Sequence, residues 1–280
     1  MKSKNKKPII KQKPFLKWAG GKSQLLSTII NHLPQKYNRY IEPFVGGGAL
    51  LFALEPRKAI ISDLNEELIN CYKTVKNNVD SLIEDLHKHE NDKHYFYQIR
   101  SQSIKILSEI ERASRFIYLN KTCFNGLWRV NKQNQFNTPF GGYKNPKIVN
   151  VSALKQASRY LQHVKIFYGD YYKILQKYAR KDDFVYLDPP YYPISKYSDF
   201  KRYTKEGFDI IQQKRLAHLF KILDARGCKL LLSNSSAECI ANLYSEYTVI
   251  TVRAKRLINS DHNKRGFVKE ILVNNYERTH

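Results

Sequence analysis

Short apolar runs alternate with segments of helical periodicity along most of the chain. The runs predict strands at 38–41, 59–62, 164–168, 184–187, 229–233, 248–252 and 269–274. The periodic segments predict helices at 23–32, 49–54, 66–77, 112–120, 172–180, 207–225 and 237–245. Strands that alternate with helices in this way indicate an α/β fold, with one sheet covered on both faces. Ligands of such sheets bind beyond the carboxyl ends of the strands.

The pattern changes between residues 80 and 160. Residues 80–115 carry mixed charges with helical periodicity and include His87, His89 and His94. Residues two apart do not share a helix face, so we interpret these histidines as solvated surface and expect no metal site. Residues 121–144 are rich in amide, aromatic and basic side chains, which could read base edges in DNA. The alternative is an irregular β-hairpin with a small aromatic core.

Composition adds a strong positive charge to this picture. The 280 residues carry 48 Lys and Arg against 25 Asp and Glu, a formal net charge of +23. Such an excess favours a polyanionic partner over an ordinary solvated basic surface. The 20 Tyr and 14 Phe support this interpretation, because bases stack on aromatic rings.

Localisation follows from what the chain lacks. The four cysteines form no C-x-x-C pair, so we expect reduced and mostly buried thiols in a cytoplasmic protein. No apolar run reaches the roughly 18–20 residues that a membrane span needs. Residues 1–13 hold six lysines without an apolar core, which predicts a mobile basic arm rather than a signal peptide.

The strongest chemical signal is the sequence Asp188-Pro189-Pro190-Tyr191, directly after the apolar run 184–187. Two prolines cannot continue a sheet, so the chain leaves the strand rigidly. This turn presents the carboxylate of Asp188, the carbonyl of Pro189 and the ring of Tyr191. Two oxygen acceptors and an aromatic face suit a planar base with an exocyclic amino group. Taken alone, the motif could also be a plain surface turn.

A second signal lies upstream, in Glu42-Pro43-Phe44-Val45-Gly46-Gly47-Gly48. Glycines at such a bend let the backbone approach a ligand closely, although a tight turn would also explain them. Asp63, at the end of the second strand, suits hydrogen bonds to ribose hydroxyls, and its alternative role is to cap the following helix. Asp170 and Tyr171 end the next strand and suit an adenine end of a cofactor.

Together the two motifs resemble the amino-methyltransferases that use S-adenosylmethionine. With Asp188 in the first position of the Asp-Pro-Pro-Tyr motif, the chain resembles the D12 class of DNA adenine-N6 methyltransferases. These are enzymes of the Dam type, in the alpha group of amino-methyltransferases. The stretch Trp18-Ala19-Gly20-Gly21-Lys22 also resembles a segment that folds over the cofactor in these enzymes. The resemblance implies cofactor contacts from Trp18, Lys22, Phe44 and Gly46, besides Asp63, Asp170, Tyr171 and Asp188. It places Lys17 near the DNA.

Residues 125–131 and 136–141 resemble the recognition hairpin of Dam-type enzymes that act on GATC. The resemblance implies that Asn125, Leu127, Arg129 and Pro139 read the target. It places Phe124 where an aromatic ring fills the gap that a flipped base leaves. Phe stands here where some relatives have Tyr.

The resemblance covers nearly the whole chain. It implies a mixed, Rossmann-like seven-stranded methyltransferase sheet, with residues 1–75 and 161–280 as the catalytic domain. Residues 76–160 would form an inserted, mainly helical DNA-recognition domain that carries a β-hairpin. Asp188, Pro189 and Tyr191 would be catalytic, and double-stranded DNA would be the partner of a monomer that needs no metal. A restriction nuclease could be a second partner in the same system.

The sequence leaves other functions open. Related motifs serve transfer to cytosine N4, to RNA or to a protein glutamine amide. Asp rather than Asn at position 188 and the hairpin argue against the last two. A DNA-binding protein without catalysis is a further alternative, which the intact Asp188, Tyr191 and glycine set disfavours.

Overall fold

A computed structural model describes residues 10–18, 22, 25–193, 208–255 and 267–276. These residues contain one seven-stranded sheet in the order β3-β2-β1-β4-β5-β7-β6. Strands β3, β2, β1, β4 and β5 are parallel, and β7 runs antiparallel to both β5 and β6. The mixed seven-stranded sheet expected from the sequence is confirmed.

The strands lie close to the predicted apolar runs. Their bounds are Tyr40–Glu42 (β1), Ala59–Asp63 (β2), Val164–Tyr168 (β3), Phe184–Leu187 (β4), Lys229–Ser235 (β5), Thr248–Lys255 (β6) and Phe267–Asn274 (β7). The runs predicted for β3 and β4 match their observed bounds. β1 begins two residues later than predicted, at Tyr40, and ends at Glu42.

Ten α-helices connect and cover the strands in the described residues. They are Leu26–Asn31 (α1), Ala49–Leu54 (α2), Glu66–Asn77 (α3), Val79–Leu86 (α4), Lys93–Ser101 (α5), Glu109–Thr122 (α6), Val151–Leu161 (α7), Tyr171–Tyr178 (α8), Ile210–Ala225 (α9) and Glu238–Leu243 (α10). Local signals set several starts. Asn65 caps α3 by accepting from the Leu68 amide, and Ser108 with Glu111 forms a capping box on α6.

Each central strand buries side chains on both faces of the sheet, as its apolar run predicts. In β4, Phe184 and Tyr186 join the core beneath α2, α3 and α6. Val185 and Leu187 join a second core with α8, α9 and α10. The two cores hold the sheet rigid, so the loops at its carboxyl edge start from fixed positions.

Helices α4 to α7 lie between α3 and β3, in the segment predicted as an insertion. α4, α6 and α7 contact α3. The segment is therefore mainly helical, and it packs against α3 and, through α7, against β3. Its role as a separate DNA-recognition domain stays a prediction.

The interpretation of His89 as solvated surface is wrong. Its ring stacks on Tyr118 at 4.4 Å between centroids, Nδ1 lies 2.9 Å from the Tyr95 hydroxyl, and Nε2 lies 3.0 Å from the Ser114 hydroxyl. Burial lowers the pKa of His89 to about 4. His87, two residues earlier, is exposed as expected. The charged sequence neighbours of His89 gave no sign of this packing, because its contacts come from α5 and α6.

Several expectations concern other features of the chain. The three buried thiols, Cys71, Cys123 and Cys228, and the exposed Cys239 are all free, as predicted. No described helix is long and apolar enough to cross a membrane. The sequence also predicts a lid beside the site at 192–206, with Tyr192, Tyr197 and Tyr203, and almost all of this segment lies outside the described residues. Most of the N-terminal arm also lies outside them. The basic loop between the last two predicted strands could track phosphates or be an ordinary solvated turn, and its charge density favours phosphate; its residues Arg256, Lys264 and Arg265 lie outside the described residues as well.

Candidate active site

Four carboxylates meet at the carboxyl edge of the sheet. Glu42 and Asp63 end β1 and β2, and Asp188 and Asp170 follow β4 and β3. This placement agrees with the sequence prediction, because parallel neighbours end at the same edge. Glu42 is buried and accepts a 2.8 Å hydrogen bond from the Tyr40 hydroxyl, and burial holds its pKa well above the ordinary value.

Asp188 is held from two sides through one of its oxygens. The Ser233 hydroxyl of β5 donates to Oδ1 at 2.7 Å, and the Lys22 ammonium lies 3.0 Å from the same atom. Ser233 in turn lies 3.1 Å from the Tyr186 hydroxyl, which must donate because Ser233 already gives its proton to Asp188. The carboxylate therefore has a fixed orientation at the end of β4.

Lys22 lies between two carboxylates and a ring. Its ammonium is 4.0 Å from Glu270 Oε2 on β7 and 4.1 Å from the centroid of the Tyr191 ring. The Tyr191 hydroxyl donates to the same Glu270 oxygen at 2.7 Å. The side chains are enclosed, with 9% of Lys22, 19% of Asp188 and 16% of Glu270 exposed. Enclosure strengthens each of these charge interactions.

The turn after Asp188 is pinned from outside the motif. Gln213 of α9 donates to the Pro190 carbonyl at 3.1 Å, and the Tyr192 amide donates to Asn234 Oδ1 at 3.4 Å. Asn234 and Gln213 are themselves joined by a 2.9 Å hydrogen bond and are fully buried. The Pro189 carbonyl is thus part of a rigid turn, as the two prolines suggest.

The glycine motif forms a tight loop beneath Trp18. Gly46 has φ +46°, and a Cβ there would lie 2.6 Å from the Trp18 ring nitrogen. A Cβ on Gly47 would lie 2.8 Å from Trp18 Cβ. Gly46 and Gly47 are therefore needed to make room for the Trp18 side chain, independently of any contact with a ligand. This contact places Trp18 over the loop, next to Gly46, and the cofactor contacts expected of both residues stay a prediction.

Asp63 ties this loop to β2. Its Oδ2 accepts from the Gly46 amide at 3.0 Å and its Oδ1 from the Asn65 amide at 3.0 Å. Asn65 is the residue that caps α3, so the alternative role of Asp63 as the cap is wrong. Burial raises the pKa of Asp63, and the amides of Gly46 and Asn65 oppose that shift. Each carboxylate oxygen has a second lone pair for a ligand hydroxyl.

An aromatic group lies at the neighbouring strand ends. Phe44 and Tyr171 have ring centroids 4.9 Å apart, and Phe208 contacts both. The buried Tyr171 hydroxyl has no hydrogen-bond partner among the described residues. Asp170 caps α8 and pairs with Arg215 at 3.2 Å, which is a structural task that the sequence did not reveal.

This set of residues fits a nucleoside cofactor such as S-adenosylmethionine. Phe44 and Tyr171 offer aromatic surface, Asp63 offers acceptors for hydroxyl groups, and the orphaned Tyr171 hydroxyl offers a polar contact. Within the described residues, no group of three or more His, Cys, Asp and Glu side chains is placed to hold a metal ion.

The predicted recognition segment is an irregular hairpin with its own core. Antiparallel bridges join Cys123 to Phe140 and Val130 to Phe136. Trp128 packs between Phe136, at 4.6 Å, and Phe116 of α6, at 3.9 Å. The aromatic mini-core considered as an alternative is thus present, and it supports the presentation of the other side chains. Phe124, Asn125, Arg129 and Pro139 are exposed, and Leu127 is half-buried.

Hydrogen bonds fix the side chain of Arg129 and the backbone of Asn125. Asn137 accepts from Arg129 Nε at 2.7 Å across the hairpin. Asn125 has φ 55°, and its amide donates to the Tyr143 hydroxyl at 3.0 Å. Both residues therefore project from a defined backbone rather than from a loose loop.

Lys17 lies against the base of this hairpin. Buried Asn120 of α6 accepts from the Lys17 amide at 2.9 Å and donates to its carbonyl at 2.7 Å. The Lys17 ammonium lies 4.4 Å from the centroid of the Tyr143 ring, and a Cβ on Gly126 would clash with the Lys17 side chain. Since Lys17 precedes Trp18, one segment joins the hairpin to the glycine loop.

The site also contains residues that sequence reasoning missed. Ser233, Gln213 and Glu270 each contact the Asp188–Tyr191 turn, and Asn234 accepts from the Tyr192 amide directly after it. Ser233 and Asn234 could have been suspected, because two polar residues end an apolar strand at the ligand edge. Glu270 and Gln213 carry no such signal.

The chain is similar in sequence to known proteins of one family. Residues 18–258 match the family model described as D12 class N6 adenine-specific DNA methyltransferase. The type II methyltransferase M1.LlaDCHI of Lactococcus lactis subsp. cremoris is 47% identical, over 95% of this chain and 96% of its own. The type II methyltransferase M.MjaIII of Methanocaldococcus jannaschii is also 47% identical, over 94% and 99%. The DNA adenine methylase of Haemophilus influenzae is 36% identical, over 97% and 96%.

Proposed function

Because the chain belongs to the D12 class of N6 adenine-specific DNA methyltransferases, we propose that it methylates the adenine of GATC after flipping that base out of the duplex. The family makes it an enzyme that acts on adenine in DNA, so transfer to cytosine, to RNA or to protein is no longer favoured. Binding without catalysis is disfavoured for the same reason. The target sequence and the way in which the base is reached are the parts proposed here.

The arrangement of Asp188 carries the proposal. Among the described residues, its partners Ser233 and Lys22 both bind Oδ1, which leaves Oδ2 for an amino group. Asp188 Oδ2 and the Pro189 carbonyl would accept the two N6 protons, and Tyr191 would stack on the ring. That alignment directs the nitrogen lone pair at the methyl group, so positioning supplies most of the catalysis. Adenine inside a duplex cannot reach this turn, which is why flipping is required.

S-adenosylmethionine, the methyl donor that such a family implies, supplies an electrophilic methyl group when it is bound. Asp63 would hold the ribose hydroxyls, and Phe44 and Tyr171 would contact the adenine end. Gly46, Trp18 and Lys22 would enclose the remainder. Asp170 would act only indirectly, because it already caps α8 and pairs with Arg215.

The hairpin at 123–143 would read the target in the major groove. Asn137 holds the guanidinium of Arg129 through Nε at 2.7 Å and one terminal nitrogen at 3.4 Å, and the remaining N–H groups of the two terminal nitrogens would donate to a guanine. Asn125 supplies an amide for a base edge, and Leu127 and Pro139 offer apolar contact to a thymine methyl group. Phe124, 51% exposed, would enter the gap that the flipped adenine leaves. Lys17 would contact the DNA beside the hairpin, and the net charge of +23 suits the phosphates.

A restriction nuclease with the same target is a proposed partner in the cell. The chain is 47% identical to two type II methyltransferases and 36% identical to a DNA adenine methylase. The higher identity to the type II group favours a role in which methylation protects DNA from a nuclease.

Expression in a host that lacks adenine methylation tests the target directly. Its DNA is digested with one nuclease that cuts only methylated GATC and one that methylation blocks. We expect cleavage by the first and protection from the second, and the reverse with the Asp188→Ala variant. Methyl transfer to other sequences, with GATC fully open to the blocked nuclease, would refute the target assignment.

A further inference from the structure

Glu270 lies in the candidate active site although its strand, β7, contains no recognisable sequence motif. β7 is antiparallel to β5, so its first half passes the carboxyl edge of the parallel strands, where Glu270 pairs with Ser235. Its side chain is 16% exposed and shares this enclosed space with Lys22 and Asp188. A second enclosed carboxylate beside Asp188 costs desolvation free energy, which its contacts with Tyr191 and Lys22 offset.

The contacts of Glu270 are specific. Its Oε2 accepts from the Tyr191 hydroxyl at 2.7 Å and lies 4.0 Å from the Lys22 ammonium. The same ammonium lies 4.1 Å from the centroid of the Tyr191 ring. Burial, with the charges of Asp188 and Glu270, holds the pKa of Tyr191 well above its ordinary value, so the hydroxyl remains a donor.

We propose that Glu270 is a positioning residue for methyl transfer, which fixes the plane of the Tyr191 ring through its hydroxyl and shares the Lys22 ammonium with Asp188. The inference rests on the proposed function, in which the target base stacks on Tyr191. A ring tethered at its far end keeps one tilt, and a base stacked on it keeps the orientation that transfer needs. A shared ammonium leaves Asp188 able to accept from the amino group.

Two substitutions separate this role from simple stability. Glu270→Ala removes the carboxylate that accepts from the Tyr191 hydroxyl and leaves Asp188 as the carboxylate that pairs with Lys22. Glu270→Gln keeps an oxygen that can accept from Tyr191. We expect kcat, measured with saturating DNA and S-adenosylmethionine, to fall about 10-fold in the alanine variant and to be restored to within about 3-fold by glutamine. Glu238→Ala, an exposed residue of α10, serves as the matched control.

A double-mutant cycle with Tyr191→Phe shows whether the two residues act together. If Glu270 acts through the Tyr191 hydroxyl, the double variant Glu270→Ala/Tyr191→Phe should be no slower than the slower single variant. The affinity for DNA should change less than 3-fold in each variant, so the loss appears in kcat rather than in KM.

Three results would overturn the inference. They are wild-type kcat in folded Glu270→Ala, losses that multiply in the double variant, and a glutamine variant as slow as the alanine variant. Failure of the proposed function looks different. In that case wild-type enzyme would not methylate GATC, or 2-aminopurine at the target position would show no fluorescence rise on binding wild-type enzyme. The comparison among variants can still be made on whichever adenine site is methylated.

Discussion

Replacing Asp188 with alanine should remove methyl transfer and leave the fold in place. The substitution deletes the acceptor that would bind the N6 amino group, together with the oxygen that holds Ser233 and Lys22. Ser233 keeps the Tyr186 hydroxyl at 3.1 Å, and Lys22 keeps Glu270 at 4.0 Å. Neither group is left without a polar neighbour, so we expect a loss in unfolding free energy below about 3 kcal/mol.

The effect on the rate should be much larger. Removing one preorganised polar group that acts on the reacting centre costs about 10²–10³ in kcat, so we expect at least a 100-fold loss. Asp188→Asn tests the charge separately, because it keeps one acceptor oxygen but turns an N–H toward Lys22 or Ser233. It should retain more activity than the alanine variant.

The assay is transfer of a labelled methyl group to a duplex with one target site, in a single turnover. Asp80→Ala is a matched control, because Asp80 is 75% exposed on the surface of α4. Circular dichroism and urea unfolding establish that each variant is folded. A folded Asp188→Ala protein that transfers methyl groups within about 3-fold of the wild-type rate would show that the carboxylate does not hold the amino group.

Two further predictions concern the hairpin and the buried histidine. Arg129→Ala should lower discrimination about 5- to 150-fold at one guanine of the target, measured as kcat/KM on every single-base variant, whereas a uniform loss on all sites would assign Arg129 to phosphate or to the hairpin itself. His89 has its pKa lowered to about 4 from 6.5, so the unfolded chain binds a proton first as the pH falls. Stability should therefore decline between about pH 6.5 and pH 4, by up to about 3 kcal/mol, and urea titrations of His89→Gln should show a smaller decline.

The parallel part of the fold could be predicted because its strands carry their own signal. Phe184–Leu187 is an unbroken apolar run, since both of its faces are buried, and the prolines mark where it ends. In the sheet, β7 lies between β5 and β6, and no comparable signal in the sequence predicts this order. It depends on which strand pairs with β5 across more than 30 residues of chain, and local composition does not report that pairing.

The residues of the candidate site likewise fall into those that local sequence predicts and those that it does not. Asp188, Tyr191 and the glycines were found because adjacent residues in the sequence form each motif. Ser233 and Glu270 were missed because they reach Asp188 and Tyr191 only through the register of β5 and β7. His89 was misjudged for a similar reason, since the ring that stacks on it belongs to α6. Local patterns predict which groups react, and tertiary contacts decide how they are held.

The position of β7 also affects how the chain folds during its synthesis. β5 and β6 emerge from the ribosome before β7, yet they do not pair with each other, because β7 lies between them. Until residues 267–274 are available, β5 has an open edge and β6 has no neighbour in the sheet. Exposed edges of this kind invite pairing with other chains, so a nascent or truncated form is vulnerable to aggregation. The same strand brings Glu270 to Lys22, and a chain that stops before it therefore lacks two strands of the paired sheet and the carboxylate beside Lys22.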